Sequence, residues 1–255
     1  RFMDQGDAGV WKPEHGLANA LRSTRSMLSK IAVERVWAEL KRILVGKNAS
    51  IILQQMADDG ILRQIFNFDW MLDDYRISSL DLLEGDDVLD RLVILFRGTP
   101  ITTCEDAART LKLSNQEKKT LIFRHLCLGH IPELLDSSLR IHRHVLGDWA
   151  EQHLRIEALF APLNQGGHSK EDIQERISRN EALVTSRTSK SLATGEWIMS
   201  QTHVQQGPKL GALKNWLHRE QIARNLTDLD QIETLLCTLS WHEDEFTHWP
   251  KLQFP

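Results

Sequence analysis

Apolar residues recur along this chain at intervals of three and four, the spacing of one face of an α-helix. Residues 31–44 carry their apolar positions on one face, and Gly46 followed by Asn48 marks the end of that helix and the start of the next. The next predicted helix covers residues 49–59 and stops at Gly60. No run of alternating apolar and polar residues predicts a strand. The sequence therefore predicts an all-α fold, an elongated array of short helices without a sheet.

Polar residues mark further helix starts. Residues 86–96 form a strongly apolar predicted helix, and Thr103 is expected to cap another helix over residues 105–111. Ser114 with Glu117 three residues later has the pattern of a capping box, in which each side chain binds the other residue's backbone amide. These signals predict that many short helices follow one another closely.

Residues 162–168 (PLNQGGH) are the best linker candidate in the chain, and we place a domain boundary there. Residues 139–159 before it predict one long helix or two abutting helices. No repeat with a period near 34 or 40 residues is present, which argues against the common helical repeat families. The elements predicted after the linker are a helix from Ser169 to about residue 184, one from Gly207-Pro208 to about residue 224, one capped by Thr227, and an extended tail over 241–255.

The charge distribution says more than the net charge of −4. Acidic residues dominate residues 48–108, whereas residues 1–47 and 170–224 are each modestly basic. A polyanion such as RNA needs clustered Lys and Arg. We therefore expect the two basic segments to hold any polyanion, with the acidic middle turned away.

Composition also bounds the class of protein. With 255 residues, 41% of them hydrophobic, the chain can bury a real core. Cys104, Cys127 and Cys237 form no CxxC pair, so neither a zinc knuckle nor a disulfide framework is expected. No apolar run is long enough to cross a bilayer, and an intracellular protein is expected, although a chain that starts without Met can have lost a targeting peptide.

Several short patterns occur in the order found in one known family. Residues 31–40 (IAVERVWAEL) are similar to the motif ISxERIxxEL, residues 111–117 (LKLSNQE) to RLxLSNxE, and residues 207–217 (GPKLGALKNWL) to GPxLGxLL. Residues 194–198 (TGEWI) resemble the segment SGxDL, and residues 1–2 look like the end of LRxxRF. The chain thus resembles the neck, body and tail of class II tRNA nucleotidyltransferases, the family of CCA-adding enzymes and bacterial poly(A) polymerases.

The resemblance implies three regions: a neck-like RNA-binding region over residues 1–60, body helices over 61–161, and tail helices with an extended C-terminal arm over 169–255. The family's catalytic head carries GSxxR, DxD and EDxxR motifs, and none of these occurs in this sequence. No catalytic residue is assigned, and no cofactor is expected in this chain. Mg²⁺ and ATP or CTP would belong to a head domain elsewhere, because nucleotidyl transfer needs closely placed carboxylates that hold two metal ions.

The RNA-binding residues are expected at the two basic ends, and they are Arg1, Arg35, Lys41, Arg42, Lys209 and Lys214. Glu34, Arg35 and Glu39 form the structural neck motif, in which Arg35 and Glu39 are spaced as an i,i+4 pair. Ala32 stands where the family often has a capping Ser or Thr, and Ser29 is expected to replace that cap.

The tail motif offers a second contact with phosphate. Gly207 is expected to allow a tight approach of the backbone, and the amides of residues 209–211 to receive phosphate at the start of a helix. Ordinary packing of a Pro-started helix, with Gly211 at a close helix contact, is the alternative interpretation. Metal sites built from His142, His144 and His153, or from His125 and His130, are not favoured.

Two functions remain open at this point. The first is the tRNA-backbone-binding portion of a tRNA nucleotidyltransferase or poly(A) polymerase, acting in CCA addition if a head domain is present elsewhere. The second is a non-catalytic scaffold subunit of a large ribonucleoprotein such as a mitochondrial ribosome. The expected partners are tRNA or rRNA, a head domain or other protein subunits, and no membrane. The expected location is the cytoplasm of a bacterium or the mitochondrial matrix.

Overall fold

The computed structural model describes residues 13–67, 74–163, 167–183, 190–243 and 245–255. Their regular structure is helical, with no strand in these ranges, which confirms the all-α prediction. No helix in these ranges is both long and apolar enough to cross a membrane. The α-helices are α1 (His15–Thr24), α2 (Val33–Leu44), α3 (Ala49–Asp58), α4 (Ile61–Phe66), α5 (Asp74–Leu82), α6 (Val88–Phe96), α7 (Ile101–Thr110), α8 (Asn115–Cys127), α9 (Asp136–Leu146), α10 (Ala150–Phe160), α11 (Lys170–Ala182), α12 (Gly195–Thr202), α13 (Pro208–Arg224) and α14 (Leu229–Leu236).

The helices divide into two compact units. Among the described residues, 13–67, 74–128 and 159–163 form the first unit, and 129–158, 167–183, 190–243 and 245–255 form the second. The neck, body and tail regions stay a prediction based on the resemblance. Each unit has its own core and is described by itself.

Helix α6 forms the centre of the first unit. The side chains of residues 92–96 are all buried, because the run Leu-Val-Ile-Leu-Phe leaves no polar face for solvent. The helix packs against α2, α5 and α8. Phe96 meets Phe66 of α4 edge to face, with 6.1 Å between ring centroids. Helices α2, α4, α5 and α8 therefore all pack on one central element.

Arg91 is buried beside the end of α5 and binds three backbone carbonyls there. Its guanidinium donates to the carbonyls of Leu80 at 2.7 Å, Gly85 at 3.1 Å and Leu83 at 3.2 Å. The last carbonyls of a helix have no partner within the helix, and burying them unpaired is costly. Arg91 therefore connects α6 to the chain that leaves α5.

Helix α13 and the C-terminal arm form much of the core of the second unit. Leu213 and Leu217 of α13 are buried together with Ile198 of α12 and Ile232 of α14. Trp249 of the arm is buried in the same cluster, with its ring centroid 5.2 Å from that of Trp216. Residues 241–255 contain no helix in the described part, as predicted. Trp249 and Phe254 pack against other residues of the second unit.

The capping predictions succeeded where the cap residue was a serine in a full capping box. Ser114 with Glu117 and Ser169 with Asp172 form both reciprocal hydrogen bonds. Thr103 was predicted as a cap, which is wrong, because α7 already begins at Ile101 directly after the extended residue Pro100.

Two other caps were also predicted on the wrong residue. Asp228, not Thr227, caps α14, and its carboxylate accepts from the amide of Gln231 at 2.9 Å. Ser29 does not cap α2, because its hydroxyl donates to the carbonyl of Ser26 at 2.8 Å. Ala32 is the N-cap of α2 and makes no side-chain hydrogen bond.

Candidate nucleic-acid interface

A turn at Gly60, between α3 and α4, anchors two arginines that the sequence analysis did not single out. The carboxylate of Asp59 is buried, and Arg22 Nε lies 2.6 Å from its Oδ1 atom. Gln55 donates to the other carboxylate oxygen at 3.0 Å. Arg25 Nη1 donates to the backbone carbonyl of Asp59 at 3.2 Å. The negative charge of Asp59 is therefore compensated inside the turn.

Gly60 lets Arg25 approach the turn closely. The backbone of Gly60 has φ of +69°, in the left-handed region, where side chains are disfavoured. A Cβ atom built on Gly60 lies 3.1 Å from Arg25 Nη1, closer than ordinary contact. Glycine at this position thus serves both the backbone conformation and the position of the guanidinium.

A polar pocket opens next to this turn. It has a volume of about 400 Å³, and its lining includes Arg25 and Arg63 together with the side-chain amides of Gln64 and Asn67. Asp58 is the carboxylate in the lining, and Gln54 donates to it at 2.9 Å. Two guanidinium groups and two amides match the hydrogen-bonding needs of a phosphate and the polar edge of a nucleotide. The lining of this pocket is therefore chemically suited to an RNA backbone.

The three predicted cations of α2 differ in their surroundings, and Arg42 is the one with an acidic neighbour at hydrogen-bond distance among the contacts described below. Lys41 Nζ lies 5.3 Å from the centroid of the Trp37 ring, and Trp37 is buried in the core. Arg42 pairs with Glu39 at 2.9 Å, and Arg35 is exposed. RNA contact by Arg35, Lys41 and Arg42 stays a prediction.

The first two family-like patterns meet in the first unit. Lys112 Nζ lies 2.9 Å from Glu34 Oε1, which joins the start of α2 to the loop before α8. The pKa of Glu34 is lowered by a hydrogen bond with its backbone and by Lys112. The Ser114 hydroxyl and amide lower the pKa of Glu117, with smaller contributions from Lys41 and Trp37. The residues that follow α7 thus contact the neck-like helix α2. This contact gives residues 31–40 and 111–117 a structural role in the first unit.

The tail residues belong to the second unit, on the first turns of α13. Lys214 is exposed, whereas Lys209 is half-buried, with its Nζ 3.5 Å from the carbonyl of His242. A Cβ on Gly211 would meet nothing within 4 Å, so the expected close helix contact at this glycine is wrong. The surroundings of Gly207 are equally open, and the approach of its backbone to phosphate stays a prediction. The amide of Gly211 is also not available to phosphate, because it donates to the carbonyl of Gly207 at 3.2 Å.

Arg1, the remaining predicted contact, lies outside the described residues. Sequence reasoning missed Arg22, Arg25 and Arg63, although the first two lie in the segment recognised as basic. The positions of Arg22 and Arg25 depend on Asp59 and Gly60, more than 30 positions further along the chain. A local pattern contains no signal for that contact.

Two buried histidines of the second unit come together, but they form no metal cluster in the described ranges. His142 Nε2 lies 3.0 Å from His153 Nδ1, and the ring of Phe254 packs against both. Glu157 is buried next to His153 and accepts from the amide of Gly129 at 2.8 Å. The pair is part of the core that holds the C-terminal arm.

One comparison with known proteins bears on this surface. Residues 12–68 match the family model described as the probable RNA and SrmB-binding site of polymerase A. The matched segment contains α1 to α4, and with them the turn at Gly60 and all the lining of the polar pocket. No curated protein matches the chain. The match supports RNA as a partner of this helical segment and supports the poly(A) polymerase side of the resemblance, without singling out CCA-adding enzymes.

Proposed function

We propose that this chain binds the sugar-phosphate backbone of tRNA through the pocket of Arg25 and Arg63, with Lys41 and Arg42 as further contacts on α2. The single observation that carries the proposal is the position of this pocket inside the segment similar to an RNA-binding site. Contacts to the backbone read the shape of an RNA rather than its sequence. We therefore expect affinity for a folded tRNA with little dependence on base sequence.

We also propose that the bound tRNA serves 3′-end nucleotide addition, carried out by a nucleotidyltransferase head on another segment or subunit. The support is the set of family-like patterns, of which residues 31–40 and 111–117 lie in one unit and are joined by the Glu34–Lys112 ion pair. In such an arrangement this chain holds the substrate, and the head supplies the metal ions and the nucleotide. The second region of contact would be α13, through Lys209 and Lys214.

Binding is tested by fluorescence anisotropy with a tRNA that lacks its terminal CCA. We expect the double variant Arg25→Gln and Arg63→Gln to weaken binding roughly tenfold at about 0.1 M salt, and to reduce the slope of log K against log salt by about 1 to 2. The matched control is Arg109→Gln with Lys119→Gln, which removes two exposed positive charges from the same unit. Equal losses in both double variants would show that the pocket is not the binding site.

The role in nucleotide addition is tested with the natural full-length gene product. Radiolabelled CTP and ATP are offered with the same tRNA, and incorporation is expected. Strong tRNA binding without any incorporation would favour the scaffold function in a ribonucleoprotein instead. Incorporation of ATP alone, as a long tail, would indicate poly(A) synthesis.

A further inference from the structure

We propose that the groove between α3 and α5 docks a basic amphipathic helix of a partner protein. The groove is wide and open, with a volume of about 570 Å³. Residues of α3 at positions 50, 51, 54, 55 and 58 line one side, and residues of α5 at positions 77, 78, 81 and 82 line the other. These spacings select one face of each helix. Two neighbouring helix faces form the kind of furrow into which a third helix packs.

The groove exposes large apolar side chains that a folded protein normally covers. Leu82 is 67% exposed and Ile51 is 50% exposed, although both lie at helix positions next to the core. Leu82 is the most exposed of the large hydrophobic side chains in the described ranges. Ile77, which is buried, lines the same groove. Because Ile51 and Leu82 come from the two facing helices of one groove, they provide an anchor for apolar residues of a partner.

Charge decides the kind of partner. Asp58 and Asp81 line the groove, and none of the residues that line it in the described part of the chain is Lys or Arg. Asp81 accepts hydrogen bonds from the hydroxyl and the amide of Ser50, and Asp58 accepts one from Gln54. Both carboxylates are therefore held in place while they remain exposed. They repel phosphate and attract Lys or Arg, so the partner is a protein helix with basic flanks rather than RNA.

The test uses the full chain and a synthetic peptide of about 16 residues, designed as a helix with leucines on one face and lysines beside them. Binding is measured by fluorescence anisotropy of the labelled peptide at low and moderate salt. We expect saturable one-to-one binding that weakens as salt rises. The control peptide carries Glu in place of Lys with the same leucines, and we expect it to bind at least tenfold more weakly.

Two kinds of variant locate the binding. Ile51→Ser with Leu82→Ser removes the apolar anchors, and we expect the dissociation constant to rise roughly tenfold or more. Asp58→Asn with Asp81→Asn removes the charges, and we expect a several-fold loss at low salt that disappears at high salt. The matched control is Leu126→Ser, which removes a side chain of α8 that is 49% exposed and leaves the groove intact. Circular dichroism before and after heating shows whether each variant is folded.

Two results would overturn the proposal. One is peptide binding that responds equally to Leu126→Ser and to the groove variants, because the groove would then not be the site. The other is self-association of the chain in sedimentation velocity that Ile51→Ser with Leu82→Ser abolishes, because the groove would then hold a second copy. Neither result involves RNA. Asp58 also lines the pocket of Arg25 and Arg63, so Ile51→Ser with Leu82→Ser, which changes no residue of that pocket, separates this proposal from the tRNA experiments.

Discussion

Arg25 reaches the turn at Gly60 so closely that its Nη1 atom lies 3.1 Å from the position of a Cβ on that glycine. The same nitrogen holds the carbonyl of Asp59. Gly60 therefore provides the left-handed backbone conformation of the turn and also the space that orients Arg25, a candidate RNA-binding side chain. Substitution of Gly60 tests both.

Gly60→Ala is expected to lower stability and to weaken tRNA binding together. The left-handed conformation costs a residue with a Cβ about 1 to 2 kcal/mol, and the added methyl group displaces Arg25. We expect the dissociation constant for tRNA to rise roughly three- to tenfold, as for the loss of one phosphate contact. Urea unfolding measures the first effect and fluorescence anisotropy the second.

Gly85→Ala is the matched control for this prediction. Gly85 has φ of +93°, so the backbone strain is similar, but a Cβ there meets nothing within 4 Å. This variant should lose stability and keep its affinity for tRNA. If both variants bound tRNA as well as the unmodified chain, Arg25 would have no part in binding.

Asp58 is expected to oppose RNA binding, because its carboxylate lines the pocket of Arg25 and Arg63. Asp58→Asn removes the negative charge and keeps an oxygen to accept the hydrogen bond of Gln54. We expect affinity for tRNA to rise roughly threefold at about 0.1 M salt, and the gain to shrink at higher salt. The measurement is a salt series of anisotropy titrations.

Asp106→Asn makes the same change of charge on α7, at an exposed aspartate paired with Arg109. It should alter affinity little. An equal gain from both substitutions would mean that only the net charge of the chain matters, and would remove Asp58 from the account of the pocket.

Arg91 is the basis of a stability prediction. Arg91→Met keeps much of the side-chain volume but removes the donor from the buried carbonyls of Leu80 and Leu83 and from the partly buried carbonyl of Gly85. We expect a loss of about 2 to 4 kcal/mol in the free energy of unfolding. Arg109→Met, at an exposed arginine, should change it by less than about 0.5 kcal/mol. A similarly small effect at Arg91 would mean that water or a shifted backbone replaces the guanidinium.

The sequence predicted the elements whose signals are local. Ser114 with Glu117 carries its partner three residues away, and the predicted helix start is confirmed by both hydrogen bonds. Pro208 likewise begins α13 where it was expected, because proline fits the first turn of a helix. The cap predicted at Thr103 is wrong because α7 begins directly after Pro100, three residues before Thr103. Where two residues compete for one cap, composition alone does not rank them.

The candidate site could not be predicted in the same way. Arg22 and Asp59 are 37 positions apart, and Arg25 reaches the backbone of the same aspartate. The choice of Arg35, Lys41 and Arg42 rested on their place in a basic segment, but the structure gives Arg42 an acidic neighbour, Glu39, on the same helix. Contacts between distant residues decide which cations face an open pocket, and those contacts follow from tertiary packing.

The histidine pair His142 and His153 predicts how the second unit responds to acid. The pKa of His142 is lowered from its ordinary value of 6.5 to about 3. Burial is the larger cause, and the neighbouring His153 is the smaller one. His142 is therefore neutral in the folded chain down to about pH 3. In the unfolded chain it binds a proton below pH 6.5. Its contribution to stability is therefore complete above pH 6.5 and is lost as the pH falls toward 3. The loss is about 1.4 kcal/mol per pH unit, or about 2 kcal/mol between pH 6.5 and 5. In His142→Gln, urea unfolding followed by circular dichroism should show a difference between pH 7.5 and pH 5 that is smaller by about that amount. His248→Gln, at an exposed position of the same unit, should keep the full difference, and an equal change in both variants would place the acid sensitivity elsewhere.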